Sequence, residues 1–458
     1  MDLPILILLF LMFFLIILSY SFKDLDFVAI SLLCMFYGAT ITGLKLGLEL
    51  NDFISYVNWE AILIILSMSI ITKIAQDSNV LEYVAVKLFK LSRGNQTTFL
   101  YLLCIITTLL AAVITDVVVV LILAPVVVRL CHFLKIRSGT YLLGMTICIN
   151  IGSLITPFSS GENIIISSAF TLDTLYFIQT YWMFSFFLLF ATIYLINRFL
   201  LSKEPRIEEQ QKLYVLELVD ADIMIKNKKM FYFNSIAIII TILLFTILPL
   251  LYLTAIIAAL ILVLSNRRYT KKFMGDLLKD IEWEIIFFFI SLYVIVGAMS
   301  QVGFTEIFSG IPFQLLDPAV LGIILLILVS VISGLVANTP TALIFIPIIQ
   351  TLINDFNFPE IPLLFAFIVA INLGGNLIPQ GAAADMMTLK VAQDSGVENL
   401  SYKRLLKTGA MFAAIHIGFS LIYLLALMYT IFFILFIGLV ISLIILILLP
   451  IFKKIKEE

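Results

Sequence analysis

The length and spacing of its apolar runs constrain this chain more than any other feature. A bilayer core of about 30 Å takes roughly 20 apolar residues as a helix. Runs of that kind lie near 3–20, 27–44, 59–76, 97–114, 117–134, 140–168, 176–200, 231–249, 252–266, 284–301, 318–336, 338–354, 361–389, 409–428 and 431–450. Two shorter amphipathic pieces, Val80–Leu91 and Phe304–Leu315, sit between them. One long polar stretch, Ser202–Lys229, carries mixed charge (Lys203, Glu204, Arg206, Glu208, Glu209, Lys212); it is too short for a domain and reads as a solvated connector. Only 13% of the residues are charged, against about 25% in soluble domains, and mean hydropathy is +1.16. Soluble enzymes and secreted disulfide scaffolds are excluded. A net charge of -2 gives no basic field for nucleic acid. The four cysteines (Cys34, Cys104, Cys131, Cys148) show no zinc or disulfide spacing. The first run follows an acidic Asp2, without a basic n-region or a cleavage site, and reads as a retained span. The chain is an all-α polytopic membrane protein.

Sidedness follows from Lys and Arg. With 97–134 and 318–354 taken as re-entrant hairpins, one face receives Lys23, Lys87, Lys90, Arg93, Arg129, Lys135, Arg137, the basic residues of the connector and of 267–279, then Lys390, Lys403, Arg404, Lys407 and the C-terminal lysines. The opposite face keeps Lys45. This puts the connector and C-terminus in the cytoplasm and the N-terminus outside a cell (plasma) membrane. Two full crossings per hairpin would preserve the same parity, so the count fixes sidedness and not re-entrance.

The chain also resembles itself. Thr115-Asp116 through Pro125 aligns with Ala337-Asn338 through Pro347, and Asn150-Ile-Gly152 through Pro157 with Asn372-Leu-Gly374 through Pro379, all at an offset of 222 residues. Trp59-Glu60 echoes Trp283-Glu284 at an offset of 224. Residues 1–201 form one repeat, with hairpin 97–134 and broken helix 140–168. After the connector 202–230, residues 231–429 form the second, with hairpin 318–354 and broken helix 361–389. Residues 430–458 add an extra span and a tail. Each repeat makes an odd number of crossings, which inverts the second copy relative to the first. Inverted repeats with discontinuous helices meeting near the midplane are a design of secondary transporters.

A broken helix is tolerated in hydrocarbon only where protein buries it or water reaches it. Gly152, Pro157 and Gly161 unsettle the first broken helix, while Asn150, Thr156, Ser159, Ser160 and Asn163 offer ligand oxygens. Asn372, Gly374, Asn376 and Gln380 repeat the pattern. The hairpin tips add Thr115 and Asp116, then Asn338, Thr339 and Thr341. Half-helix N-termini suit an anion; unwound carbonyls and carboxylates suit Na⁺ or H⁺, with Na⁺ placed near Asp116, Asn150, Asn338 and Asn372. Asp116, Glu162 and Asp385 are intramembrane acids of the kind that mark ion paths, although Glu162 and Asp385 also suit a plain capping role at rewetted helix ends. Glu60 and Glu284 read as interfacial neighbours of belt tryptophans, and His416 and Cys148 as packed core groups.

At these residues the chain resembles the ion transporter superfamily: its arsenite-permease, NhaD-type sodium/proton antiporter, P-protein and CitMHS-type citrate-transporter branches. The likeness is strongest at Leu91-Ser-Arg-Gly94, Asp116 with Ala124-Pro125, Arg129-Leu-Cys131, Asn150-Ile-Gly152, Thr156-Pro157 and Asn372-Leu-Gly-Gly375. The family's hairpin-tip Asp-Asn or Ser-Asn-Thr cluster maps onto Thr115-Asp116-Val117 and Ala337-Asn338-Thr339. Its Gly-Asp-Pro-Pro-Asn maps onto Ser159-Ser160-Gly161-Glu162-Asn163, with Asn163 matching and Ser160 replacing the Asp. The resemblance implies a scaffold and a transport domain, frequent dimers and elevator-like alternating access.

The leading reading is a secondary transporter of a small anion or oxyacid, arsenite- or carboxylate-like, driven by Na⁺, H⁺ or membrane potential. A Na⁺/H⁺ antiporter is the alternative, and an ion channel the alternative of another class. No nucleophile–base pair, structural metal site or cofactor motif is visible, and no phosphate-binding GxxxxGK[ST] loop marks an ATPase. The expected partners are the lipid bilayer, the transported solute and a second copy of the chain.

Overall fold

A computed structural model describes residues 2–22, 25–205, 207, 221–248, 250–309 and 311–457. Within the connector and its neighbourhood, Lys23, Arg206, Glu208, Glu209 and Lys212 lie outside the described residues. The regular structure that is described is helical throughout, and among the described residues twelve helices are long and apolar enough to cross a membrane.

Polar residues between the apolar runs start these helices. Asp26, Asn58, Asn95, Asp173, Asn227 and Ser401 each accept a backbone N–H of the first turn, which supplies a partner for one of the groups a helix start leaves free. The first half then runs through Leu3–Ser21, Phe27–Leu46, Trp59–Asp77 and the amphipathic Val80–Leu91. A hairpin follows (Gln96–Ala111, Asp116–Phe133), then two half-helices (Gly139–Gly152, Gly161–Phe170) and a closing span, Thr174–Phe199. The second half has Lys228–Ile247, Leu251–Thr270, Trp283–Gln301, a hairpin (Pro318–Val336, Asn338–Asn354), two half-helices (Glu360–Gly374, Ala383–Asp394) and Tyr402–Ala426. Both interrupted helices are therefore discontinuous. The amphipathic piece expected at Phe304–Leu315 is instead a turn of helix, Glu306–Ser309, and a 3-10 turn, Phe313–Leu315, because Pro312 cannot continue a helix.

The two halves exchange partners. Trp59–Asp77 packs on Leu251–Thr270, and Trp283–Gln301 packs on Phe27–Leu46. These pairs have matching bounds 224 residues apart. Two short helices that the hydropathy pattern does not reveal, Leu50–Tyr56 and Met274–Lys279, precede the tryptophans at the same offset. The Asp52 carboxylate accepts from Glu49 N (2.7 Å) and that of Asp276 from Phe273 N (3.0 Å). The Trp59 indole donates to Ile54 O and the Trp283 indole to Leu278 O. Closer to the centre, Asp116–Phe133 packs on Ala383–Asp394 and Asn338–Asn354 on Gly161–Phe170.

Glycine lets the hairpins come close to the half-helices. A Cβ on Gly152 would lie 2.5 Å from Thr108 O, and one on Gly374 would lie 2.6 Å from Ser330 O. Both the glycines and the carbonyls they meet are 222 residues apart.

At one end of the bundle, Asn234 and Asn266 exchange amide hydrogen bonds (2.7 Å each), and the Asn234 amide also donates to Ser78. Lys272 binds Asp77 at 2.7 Å, a contact that holds its ammonium above the usual lysine range. The C-terminal helix, Thr430–Glu457, leans mainly on Tyr402–Ala426 and buries Phe436 among Phe184, Phe187 and Tyr423.

Backbone, not a movable side chain, blocks the Cβ positions of Gly152 and Gly374. Gly152→Ala and Gly374→Ala are each expected to destabilise the fold by about 1–3 kcal/mol. Thermal unfolding in detergent checks this, with exposed Gly418→Ala as the neutral control.

Candidate transport site

Between Gly152 and Gly161 the first broken helix releases several carbonyls, and nearby side chains take them up. Asn163 Nδ2 donates to Ser153 O and to Thr156 O (3.3 Å), and Ser159 Oγ donates to the same two carbonyls (2.6 and 2.8 Å). The Trp182 indole donates to Ile155 O at 2.8 Å. Ser160 is the N-cap of the second half-helix, its hydroxyl accepting from Asn163 N. The sequence offers Ser159 and Asn163 as ligands; here their hydrogens hold the break together. Thr156 Oγ1 reaches the tip of the first hairpin and donates to Ala112 O at 2.5 Å.

Asn150, Asn163, Asn372 and Asn376 then join the two breaks. Asn150 Nδ2 donates to Asn376 Oδ1 (2.7 Å), and Asn372 Nδ2 donates to Asn163 Oδ1 (2.8 Å). All four are buried. Asn372 Oδ1 and Asn376 Nδ2 have no hydrogen-bond partner, which leaves an acceptor and a donor for something else at the junction.

The acids stand around this junction. Glu162 Oε1 accepts from Asn338 Nδ2 at the tip of the second hairpin (3.0 Å), with the Ser160 and Thr339 hydroxyls near its carboxyl. Asn338 is held in turn by Ser333 Oγ, which donates to its Oδ1 (2.7 Å). Asp385 Oδ1 accepts from Thr146 Oγ1 (2.6 Å), one helical turn before Asn150. Neither acid is an N-cap: those positions belong to Ser160 and Ala382, while Glu162 and Asp385 lie within the first turn and reach across to the other half. Half-buried Asp116 accepts from Val117 N (2.9 Å) and lies within electrostatic range of both other carboxyls. Among the described residues none of the three acids is in an ion pair.

Two candidates stand apart. Gln380 is exposed and accepts from Tyr402 OH, and Thr341 turns its hydroxyl back to Ala337 O. Thr115, beside Asp116, and Thr339, beside Asn338, stay at the tips. Gly152 and Gly374 act by close packing. The sequence reading misses Thr146, Ser333 and Tyr20. Thr146 is recoverable from its i, i+4 spacing to Asn150; Tyr20 is not, because only folding brings the end of the first helix within electrostatic range of Asp116 and Glu162. His416 is buried against Thr192 (2.8 Å), away from the acids.

This arrangement, two interrupted helices and two hairpin tips joined inside a many-span bundle, defines a polytopic membrane transporter. Residues 8–332 match the CitMHS citrate transporter family, and the chain belongs to it. An uncharacterized transporter of Mycobacterium tuberculosis is 27% identical over 411 residues, covering 87% of this chain and 92% of that protein. The 46 kDa membrane protein of Mycobacterium leprae is 26% identical, covering 80% and 86%. The human P protein is 27% identical over 120 residues, 26% of this chain and 14% of its own. The fold is similar to that of the YdaH transporter of Alcanivorax borkumensis, with a TM-score of 0.58 at 10% identity over 81% of this chain and 86% of that one. The chain is thus an integral membrane transporter and not an enzyme.

Asn163→Ala leaves the one Ser159 hydroxyl hydrogen to serve both Ser153 O and Thr156 O, and removes the acceptor of one Asn372 N–H. A loss of about 1–3 kcal/mol for each buried group left unpaired predicts a clearly lowered unfolding temperature in detergent. Gln380→Ala should leave that temperature unchanged.

Proposed function

We propose that the protein is a secondary transporter that carries a small carboxylate or oxyacid through the junction of the two breaks, coupled to H⁺ or Na⁺, by alternating access. The observation that carries this reading is the set of asparagine bonds between the breaks, with both hairpin tips bonded to the same assembly. In this reading the halves are inverted repeats and the hairpins re-entrant. The reciprocal exchange of helices supports a two-fold relation, since equivalent pairs swap partners as across an isologous interface. The odd number of crossings turns that axis into the membrane plane.

In this reading the electrostatics divide the roles. Among the described residues Asp116, Glu162 and Asp385 are not paired with a basic side chain, so a free polyanion entering the junction is repelled. A carboxylate therefore enters with its cation or proton. The N-termini of Gly161–Phe170 and Ala383–Asp394 present N–H groups to its oxygens, and the acids receive the positive charge. Asn372 Oδ1 and Asn376 Nδ2 are the remaining acceptor and donor for cargo or ion. The family name points to citrate, a carboxylate, as the first solute to try. The three acids favour one second reading, Na⁺/H⁺ antiport without an organic cargo.

Purified protein in liposomes, with imposed Na⁺, pH and voltage gradients and labelled citrate, other carboxylates and arsenite, tests both. Gradient-driven uptake of an organic acid or oxyacid, lost in Asp116→Asn and Glu162→Gln, is expected. Proton movement driven by Na⁺ alone, with no solute uptake, selects the antiporter. Conductance far above carrier turnover, without counterflow, rejects both in favour of a channel.

Sidedness is tested with an impermeant thiol reagent on cells. Lys45→Cys should react from outside and Lys271→Cys only after permeabilisation, over a low background because the four native cysteines are buried.

A further inference from the structure

We propose a second binding site, for a small oxyanion bearing carboxylate or phosphate groups, at the far ends of the helices that begin at Asp116 and Ala383. A cavity of about 450 Å³ opens there, lined by His132, Arg137, Ser138 and Asn399 together with Glu398, Ser395 and Gly396. It is separate from the junction of the breaks and stands whether or not the transport reading does.

A buried hydroxyl without a partner lines it. Ser138 precedes the Gly139–Gly152 helix, is only 7% exposed, and makes no capping bond, so its hydroxyl is free for a ligand. The N-terminus of that helix, 14 residues long, adds its partial positive charge. Asn399 Nδ2 is buried without a hydrogen-bond partner. Its orientation is set on the other side: Asn399 Oδ1 accepts from Gly139 N (2.9 Å), and Arg404 donates to Asn399 O. Arg404 in turn bonds Thr140 Oγ1 (2.8 Å) and Glu204 (3.4 Å), so its charge is already matched. A Cβ at Gly139 would lie 2.6 Å from Asn399 Oδ1, so the glycine permits this contact.

Two helices also end at the cavity, and uncapped C-termini would oppose an anion. Five carbonyls of those last turns are occupied. Cys131 O and His132 O accept from Ile136 and Lys135 N (3.0 Å each), and Val391, Ala392 and Gln393 O accept from Ser395, Val397 and Gly396 N (3.0, 2.8 and 3.1 Å). Arg137 then balances the exposed carboxylate of Glu398, and the His132 imidazole adds a polar edge.

The test is the unfolding temperature of the full-length protein in phosphatidylcholine nanodiscs, titrated with citrate and with inorganic phosphate. Both should raise it. Arg137→Gln and Asn399→Asp should each shift the half-saturating concentration about tenfold or more. Asp116→Asn should leave the response to phosphate intact, which separates this site from the central one. Because Asn399→Asp also touches Gly139, Ser138→Ala serves as the mild variant and should weaken the response alone. The proposal fails if wild type shows no response, if Arg137→Gln and Ser138→Ala respond as wild type does, or if Asp116→Asn abolishes the response to phosphate. Stabilisation that appears only when anionic lipid is added overturns it in favour of a lipid headgroup.

Discussion

A helix broken inside hydrocarbon frees peptide groups that neither lipid nor the helix can satisfy, and the rest of this structure is organised around that demand. The first break meets it with Asn163, Ser159 and Trp182; the second, tighter one meets it with the 3-10 turn Gly375–Leu377 and close glycine packing at Gly381. Each solution needs the break to sit deep in protein. That requirement draws the hairpin tips inward, and the tips bring Asp116 and Asn338 to the junction.

The halves echo each other in backbone more than in chemistry. Gly152 and Gly374 meet equivalent carbonyls, but the tip residues differ. Thr115 has an ordinary extended backbone, whereas its counterpart Ala337 sits at φ 93°, a region that costs a residue with a Cβ on the order of 1–3 kcal/mol. Asn338, directly after it, is the residue that bonds Glu162. The strained turn thus aims the amide of one half at the acid of the other. Asp116 in the first half has Asn338 as its equivalent in the second, and Glu162 has Ala384. The acid and its amide partner are therefore drawn from opposite halves.

Much of the architecture was legible in the sequence because it depends on one-dimensional patterns. Apolar runs of bilayer length gave the spans, and paired Gly, Pro and Asn positions located both breaks to within a few residues. The short helices before Trp59 and Trp283 were not legible, since a seven- or six-residue amphipathic turn is lost between long apolar neighbours. Roles within the site were only partly legible. Asn150 and Asn372 lie where their spacing put them, but nothing local distinguishes Asn163, spent on carbonyls, from Asn376, whose amide nitrogen remains free. Gln380 looked equivalent to the rest because it follows the second break, yet its side chain turns out toward Tyr402. Such distinctions are set by which way a side chain points after the halves have come together.

The exchange of helices between halves bears on how the protein is made. When the ribosome has finished Phe199, the Trp59 helix still lacks Leu251–Thr270 and the Gly161 half-helix still lacks Asn338–Asn354. Until the rest is made, the N-terminal half can hold the carbonyls of its own break with Asn163, Ser159 and Trp182, but Asn150, Glu162 and Asn163 Oδ1 lack their partners from the second half. A chain cut within the polar connector and expressed as two fragments keeps every one of these exchanged contacts available, so assembly from co-expressed pieces is built into the topology. Neither fragment has, by itself, the surfaces it would need to mature alone.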